Sequence, residues 1–169
     1  MTPVYASDPE SPRPEPTRGP GVSFPPMLIF TLAFIVAAAV NAGLDQVPPA
    51  TGVQPVQAGG FLLVILGVAT FIWGIATFAR ARTGIMLWEP ARRVITDGPY
   101  KWSRNPMYVG CVAVYVGAAL VLGVYIALLL LPVVIVLVTT LVIRREERYM
   151  EGAFGTEYQR YRREVARWL

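Results

Sequence analysis

The longest charge-free stretch of this chain, residues 109–143, limits the folds that the chain can adopt. As one helix, its 35 residues would extend roughly 52 Å, at about 1.5 Å per residue. The hydrocarbon core of a bilayer is only about 30 Å thick, and about 20 helical residues cross it. The stretch therefore predicts two membrane-spanning helices, over residues 106–122 and 124–143, joined by a tight turn at Gly123.

Two further apolar stretches precede this pair, over residues 27–44 and residues 59–78. Each is just long enough to cross a bilayer. Gly67 and Gly74 lie seven residues apart on the second stretch, so they share a helix face where another helix can pack closely. With 54% hydrophobic and 15% charged residues, the chain is poorer in charge than soluble domains, which have about 25%. The sequence predicts an all-α polytopic membrane helix bundle with about four transmembrane helices and a C-terminal helical hairpin.

The distribution of basic residues predicts the orientation of this multi-pass protein. Residues 80–106 contain six Lys or Arg, residues 144–169 contain seven Arg, and residues 45–58, which we interpret as a loop, contain none. Basic segments stay on the cytoplasmic side, so both termini should be cytoplasmic. Residues 1–26 are rich in proline, which predicts a disordered cytoplasmic tail, and residues 27–169 form one membrane domain.

Several partner classes are disfavoured by composition. The chain has no His and one Cys, which removes His-based acid–base chemistry and the residues of most metal sites. No metal is therefore predicted. The net charge of +4 is carried by residues that flank apolar segments, which is typical of a protein facing anionic lipid rather than nucleic acid.

The C-terminal segment has an amphipathic pattern. A helix is predicted over residues 157–168, with aromatic or apolar side chains on one face and arginines on the other; that face carries Tyr158, Tyr161, Val165 and Trp168. Such a pattern is typical of an interfacial helix on a membrane surface. A solvated C-terminal helix is the alternative.

Two polar clusters, residues 97–108 and residues 144–149, stand at the ends of the last two predicted spans. The first cluster ends where the third span begins, and the second begins where the fourth span ends. If these spans form a hairpin, the two clusters are neighbours on one side of the membrane. Arg104 and Glu147 are then expected to face one pocket.

The residue types in these clusters predict the kind of ligand. Asn105 and Pro106 suit a helix start, whose free N–H groups favour an anion, and Arg104 can bind a carboxylate. Glu146 and Glu147 can accept hydrogen bonds from hydroxyls or an amine. Flat surfaces for a ring are offered by Tyr100, Trp102 and Tyr108. This set matches S-adenosylmethionine, although a plain helix start, membrane anchors and surface ion pairs would use the same residues.

Residues 98–110, Gly-Pro-Tyr-Lys-Trp-Ser-Arg-Asn-Pro-Met-Tyr-Val-Gly, resemble a known signature. The isoprenylcysteine carboxyl methyltransferase and phospholipid methyltransferase superfamily typically has Gly-Pro-Tyr-Arg-x-x-Arg-His-Pro-x-Tyr-x-Gly. Its second signature is an apolar span followed by Glu-Glu and then Phe-Gly-x-x-Tyr-x-x-Tyr. The matching residues are Glu146, Glu147, Phe154, Gly155, Tyr158 and Tyr161. The resemblance covers residues 80–169.

This resemblance implies a membrane-embedded methyltransferase that uses S-adenosylmethionine and takes a lipophilic substrate from the bilayer. Arg104 and Glu147 are the implied catalytic residues. The implied cofactor site is lined by Tyr100, Arg104, Asn105, Pro106, Met107, Tyr108, Glu146 and Glu147. Tyr158 and Tyr161 would help to close it.

Asn105 departs from the family signature, which has His at this position. An Asn side chain cannot take a proton, but a carboxylate acceptor is already anionic and needs no base. The substitution therefore favours a carboxylate or thiolate acceptor over an amine. Two alternatives stay open: a membrane reductase of the sterol-reductase type, with NADPH held by Arg160, Arg162 and Arg163, or a non-catalytic family member.

Overall fold

The computed structural model describes residues 21, 24–44, 54–81 and 93–169, and these are helical without strands. The helices are α1 (Met27–Gly43), α2 (Pro55–Arg80), a 3-10 turn (Gly98–Lys101), α3 (Pro106–Leu122), α4 (Tyr125–Val138), a π-helical turn (Thr139–Ile143), α5 (Arg144–Phe154) and α6 (Thr156–Glu164). The all-α prediction is confirmed. The predicted tail falls largely outside the described residues, as do residues 45–53 and 82–92.

Two helical segments are long and apolar enough to cross a membrane: Pro55–Arg80, and the continuous run Tyr125–Phe154. The charge-free part of the second ends at Ile143, so α5 lies beyond the span. Helices α1 and α3 are also apolar but have 17 residues each. The presence of four membrane-spanning helices therefore stays a prediction.

Helix α2 begins earlier than the sequence pattern indicates. Pro55 is its first residue, where a proline costs no intrahelical hydrogen bond. The side chain of Gln57 accepts a hydrogen bond from the Gln54 N–H at 3.0 Å, which satisfies one free donor of the helix start. Residues 55–58 are therefore helical, and their assignment to a loop was wrong.

Helices α2 and α3 are in backbone contact along a line of glycines. A Cβ atom added to Gly67 would lie 2.6 Å from the carbonyl oxygen of Gly110, and one added to Gly117 would lie 2.6 Å from that of Gly60. These distances are shorter than any real carbon contact, so only glycine permits the observed approach. The close-packing face predicted at Gly67 is confirmed, and its partners are glycines seven residues apart on α3.

The turn between α3 and α4 occurs at the predicted residue. Helix α3 ends at Leu122, and Gly123 follows with a φ of +67°, a left-handed conformation that glycine adopts without steric cost. Val124 N–H then donates to the carbonyl of Ala119 at 2.9 Å, and α4 begins at Tyr125. Helix α3 packs chiefly on α2, and α4 chiefly on α1.

The C-terminal helix differs from its prediction in length and surroundings. Helix α6 ends at Glu164, and residues 165–169, which we call the C-terminal strap, follow it with Val165 extended. Tyr158 and Tyr161 are buried within the protein, in a cluster with Tyr100. The prediction that this aromatic face rests on a membrane surface was wrong, because the loop before α3 covers it.

Candidate functional site

The loop before α3 is fixed in place by Tyr100. Its ring packs edge-on against Phe78 of α2, with the ring centroids 5.2 Å apart. Its carbonyl accepts a hydrogen bond of 2.7 Å from the Tyr161 hydroxyl of α6. Burial, followed by the influence of Tyr161 and Glu146, holds the pKa of the Tyr100 phenol well above its usual range. The loop is thereby tied to both α2 and α6.

Gly98 lets the same loop lie directly on α2. It has a φ of +58°, and a Cβ atom here would meet the Thr77 hydroxyl oxygen at 2.9 Å. Trp102 packs edge-on against Trp73 of α2 at 5.6 Å and is largely exposed. The sequence placed Trp102 among the ring-stacking residues of the pocket, but the described contacts put it on the outside of the loop.

Arg104 and Glu147, which the sequence predicts to face one pocket, form a buried ion pair. Arg104 Nη1 lies 2.7 Å from Glu147 Oε1, and the two side chains are only 8% and 10% exposed. A second arginine, Arg167 of the strap, donates to both oxygens of the same carboxylate, from Nε at 3.0 Å and from Nη2 at 2.6 Å. Glu147 is therefore held by two guanidinium groups. Arg167 was not predicted from the sequence, in which no motif marks it.

The strap is fastened along the residues that precede α3. Arg104 N–H donates to the carbonyl of Ala166 at 2.9 Å. The Ser103 hydroxyl and the Asn105 side-chain amide both donate to the carbonyl of Arg167, at 3.3 Å and 2.9 Å. These bonds run to backbone atoms, so they fix where Arg167 stands and hence where it meets Glu147.

Asn105 occupies the N-cap position and Pro106 is the first residue of α3, as predicted. The expected side-chain cap is absent. The Asn105 side-chain amide instead donates to the strap carbonyl of Arg167, and the Asn105 backbone N–H donates to Ser103 Oγ at 3.1 Å. Asn105 therefore stands at the predicted N-cap position but does not cap the helix with its side chain.

Glu146 belongs to a second, phenolic part of the site. It accepts a hydrogen bond of 2.9 Å from the Tyr108 hydroxyl. Burial, partly opposed by this hydrogen bond, raises the pKa of the Glu146 carboxyl to about 7, and the charge of Glu147 adds to the rise. The buried Tyr100 hydroxyl has no hydrogen-bond partner among the described residues. Two neighbouring carboxylates thus differ in surroundings, one between phenols and one between arginines.

Met107 lies apart from the carboxylates, in the α2–α3 interface. A Cβ atom added to Gly74 would be 2.7 Å from Met107 Cγ and 3.5 Å from the Tyr100 hydroxyl. Of the predicted site residues, the structure brings Arg104 and Asn105 to the strap, and Tyr108 to Glu146. Pro106 and Met107 support the start of α3 through packing.

A polar cavity of about 400 Å³ adjoins Glu147. Within the described residues it is lined by Thr140, Arg144, Glu147, Arg148, Glu151 and Arg162. Its volume lies in the usual range of small-molecule sites, about 300–1,000 Å³. Arginines beside carboxylates can hold the two charged ends of an amino-acid group, so the lining is chemically compatible with the methionine part of S-adenosylmethionine.

The π-helical turn Thr139–Ile143 stands between the apolar span and this cavity. A π-turn places one more residue in a turn than an α-helix does, and such turns are frequent at functional sites. Here Thr140 within the turn lines the cavity, while Val142 and Ile143 are fully buried. The wide turn thus joins the apolar helix α4 to the charged residues of α5.

We expect Glu146→Gln to change how stability depends on pH. The folded-state pKa of Glu146 lies above its usual value, so its contribution to stability is complete below about pH 4.5 and is lost as pH rises through about 7. Gln does not ionise, so the Glu146→Gln variant does not lose stability in this way as pH rises. Its melting temperature in detergent should therefore improve relative to the unaltered protein between pH 5 and pH 8.

Tyr108→Phe supplies the companion measurement for this prediction. It removes the hydrogen bond that favours the ionised Glu146, so the loss of stability should occur at higher pH. If the melting temperatures of the unaltered protein and Glu146→Gln changed with pH in the same way between pH 5 and pH 8, the raised pKa of Glu146 would be contradicted.

Comparison with known proteins identifies a family and two similar sequences. The family described as phospholipid methyltransferase matches residues 56–157, more than half of the chain. Protein-S-isoprenylcysteine O-methyltransferase of Schizosaccharomyces pombe is 35% identical over 72 residues, which is 43% of this chain and 30% of that protein. An uncharacterized protein of Haemophilus influenzae is 38% identical over 63 residues, 37% of this chain and 100% of its own length.

The match to the yeast enzyme covers less than a third of that enzyme's length. No solved structure matches the chain. The family match includes α2, the loop that holds Tyr100 and Arg104, α3 and the carboxylate pair of α5. It therefore covers the buried ion pair and both helices that are joined by glycines. The chain belongs to the phospholipid methyltransferase family.

Proposed function

We propose that this protein is an integral membrane methyltransferase that transfers a methyl group from S-adenosylmethionine to a lipophilic acceptor, preferably a carboxylate. The observation that supports it most is Glu147, which two arginines orient at the wall of a polar cavity next to an apolar span. We also propose four spans with both termini in the cytoplasm, which puts this cavity on the side where the cofactor is found.

When bound, S-adenosylmethionine supplies a methyl group on a positively charged sulfur, so transfer to a carboxylate oxygen breaks the carbon–sulfur bond, forms an ester and leaves neutral S-adenosylhomocysteine. Glu147, held in position by Arg104 and Arg167, would form part of the wall of the cofactor site. Tyr100, which the sequence predicts to contact the cofactor, has a phenol whose pKa is raised by burial, so it supplies no base. No proton has to be removed from a carboxylate acceptor, so positioning and exclusion of water are the main tasks of these residues.

Asn105 is compatible with this reaction. Its amide is engaged with the strap carbonyl at 2.9 Å, a role that needs a donor and no change of protonation. A protonated amine acceptor would have to lose a proton before it could be methylated, and Asn cannot accept that proton. The residue that replaces the family His therefore supports the choice of an anionic acceptor.

No specific observation favours the NADPH-dependent reductase. The family match is to methyltransferases. Of the three arginines that were considered for the NADPH phosphate, Arg162 already pairs with Glu151 at 3.2 Å. The non-catalytic alternative differs from our proposal in turnover alone, and it is tested by offering acceptors to protein that binds the cofactor.

The first experiment is calorimetric titration of the detergent-purified full chain with S-adenosylhomocysteine, with NADPH titrated in parallel. We expect saturable binding of S-adenosylhomocysteine only. Glu147→Gln keeps the size of the side chain and removes its charge, so affinity should fall by at least about tenfold. The matched variant Glu164→Gln, on the exposed end of α6, should bind normally. Binding of NADPH alone, or equal affinity in both variants, would overturn the proposal.

A further inference from the structure

A second cavity, of about 370 Å³, lies between α1, α2 and α3. Its lining is almost entirely apolar and includes Phe34 of α1, Phe71 of α2 and Cys111 of α3. Met27 and Ile35, on its α1 side, are more than half exposed. In the four-span arrangement that we propose, this opening faces the region where lipid chains lie. The cavity is separate from the polar one beside Glu147.

One side chain in this apolar lining carries a hydroxyl group. Tyr115 lines it and is only 4% exposed, and its hydroxyl has no hydrogen-bond partner among the described residues. Its ring is surrounded by the edges of Phe30 and Phe34, with centroids 6.2 and 5.5 Å away. An unpaired hydroxyl in apolar surroundings is unfavourable. The contacts with Phe30 and Phe34 need only the ring, so the unpaired hydroxyl indicates a ligand that accepts its hydrogen bond.

The position of Tyr115 relates this cavity to the candidate site. Tyr108, Cys111 and Tyr115 follow one another at spacings of three and four residues, which puts them on one face of α3. Tyr108 holds Glu146 at the start of the helix. Tyr115 is seven residues farther on, roughly 10 Å deeper along the helix axis. An extended chain whose end reaches the carboxylates could therefore pass Tyr115.

We propose that this cavity binds the apolar chain of the methyl acceptor, and that the chain carries an oxygen roughly 10 Å from its methylated end. The oxygen, as a carbonyl, ether or hydroxyl, accepts a hydrogen bond from Tyr115. This inference rests on the proposed function in assigning the chain to the acceptor. It distinguishes an oxygenated fatty chain from an unmodified prenyl or saturated chain, which would leave the hydroxyl unpaired.

The test uses hexadecanoic acid and a series of its keto analogues, in which the carbonyl moves along the chain. Binding to the full chain in detergent is measured by the rise in melting temperature with ligand concentration. At one carbonyl position we expect about tenfold tighter binding than for hexadecanoic acid. Tyr115→Phe removes the hydroxyl alone and should abolish that preference. Tyr125→Phe, the same change at an exposed position of α4, should retain it.

Two outcomes of the binding measurement would overturn the proposal: no preference for any carbonyl position, or a preference that survives in Tyr115→Phe. This measurement requires neither cofactor nor turnover, so it can fail or succeed independently of S-adenosylhomocysteine binding. Methylation of the preferred keto acid then tests the assignment to the acceptor. We expect Tyr115→Phe to lower kcat/KM about tenfold with an unchanged affinity for S-adenosylhomocysteine. Unchanged kcat/KM would mean that a bilayer lipid occupies the cavity, and it would overturn the assignment.

Discussion

Glu147→Ala is expected to lower the free energy of unfolding by about 3–5 kcal/mol, the usual cost of removing one partner from a buried ion pair. The carboxylate contacts Arg104, which is 8% exposed, and Arg167, which is 32% exposed. Its removal leaves the Arg104 charge buried without that partner. Reversible unfolding of the purified protein in mixed detergents measures the change.

Glu151→Ala is the matched control for this variant, one turn farther along α5. Glu151 pairs with Arg162, but these side chains are 38% and 46% exposed. Exposed pairs contribute less than about 1 kcal/mol, so the control should unfold almost normally. Combining Glu147→Leu with Arg104→Met should recover much of the stability, because no buried charge is then left at these two positions. Equal losses in the two single Ala variants would contradict the burial argument.

Gly67→Ala is expected to destabilise the protein by about 1–3 kcal/mol through overpacking. The added methyl would stand 2.6 Å from the carbonyl oxygen of Gly110 and 2.8 Å from the backbone nitrogen of Val114. Backbone atoms cannot rotate away as a flexible side chain can, so α2 and α3 must separate. The melting temperature in detergent reports the loss.

Gly59→Ala provides the comparison within the same helix. A Cβ atom at Gly59 meets nothing within 4 Å, and alanine is a better helix former than glycine by up to about 1 kcal/mol. This variant should be as stable as the unaltered protein or more so. Gly110→Ala approaches the same contact from α3, at 2.6 Å from the Gly67 oxygen, and should behave like Gly67→Ala. A stable Gly67→Ala protein would show that the helices are not held in backbone contact.

The sequence predicted the parts of the site that follow from where helices begin and end. The charge-free stretch ends at Ile143, and Asn105-Pro106 begins the helix on the other side of the turn. These two limits place Arg104 and Glu147 at neighbouring helix ends, and in the structure the two side chains are in contact. The seven-residue spacing of Gly67 and Gly74 likewise identified the close-packing face of α2.

Other parts of the site depend on contacts between distant backbone segments. Arg167 reaches Glu147 because the strap is hydrogen-bonded to Ser103, Arg104 and Asn105, and no local pattern encodes that pairing. For the same reason the Asn105 side-chain amide donates to the strap and does not cap α3. The aromatic face of α6 has the same pattern whether it meets lipid or protein, so periodicity alone could not distinguish them.

The glycine contacts between α2 and α3 also determine which part of the bundle can move. With backbone against backbone, these two helices cannot slide or part without breaking many contacts at once, so they act as one rigid body. Helix α1 lines one side of the apolar cavity and packs chiefly on α4. If a lipid chain occupies the apolar cavity, as we propose, we expect it to enter by displacement of α1 while α2 and α3 stay in place.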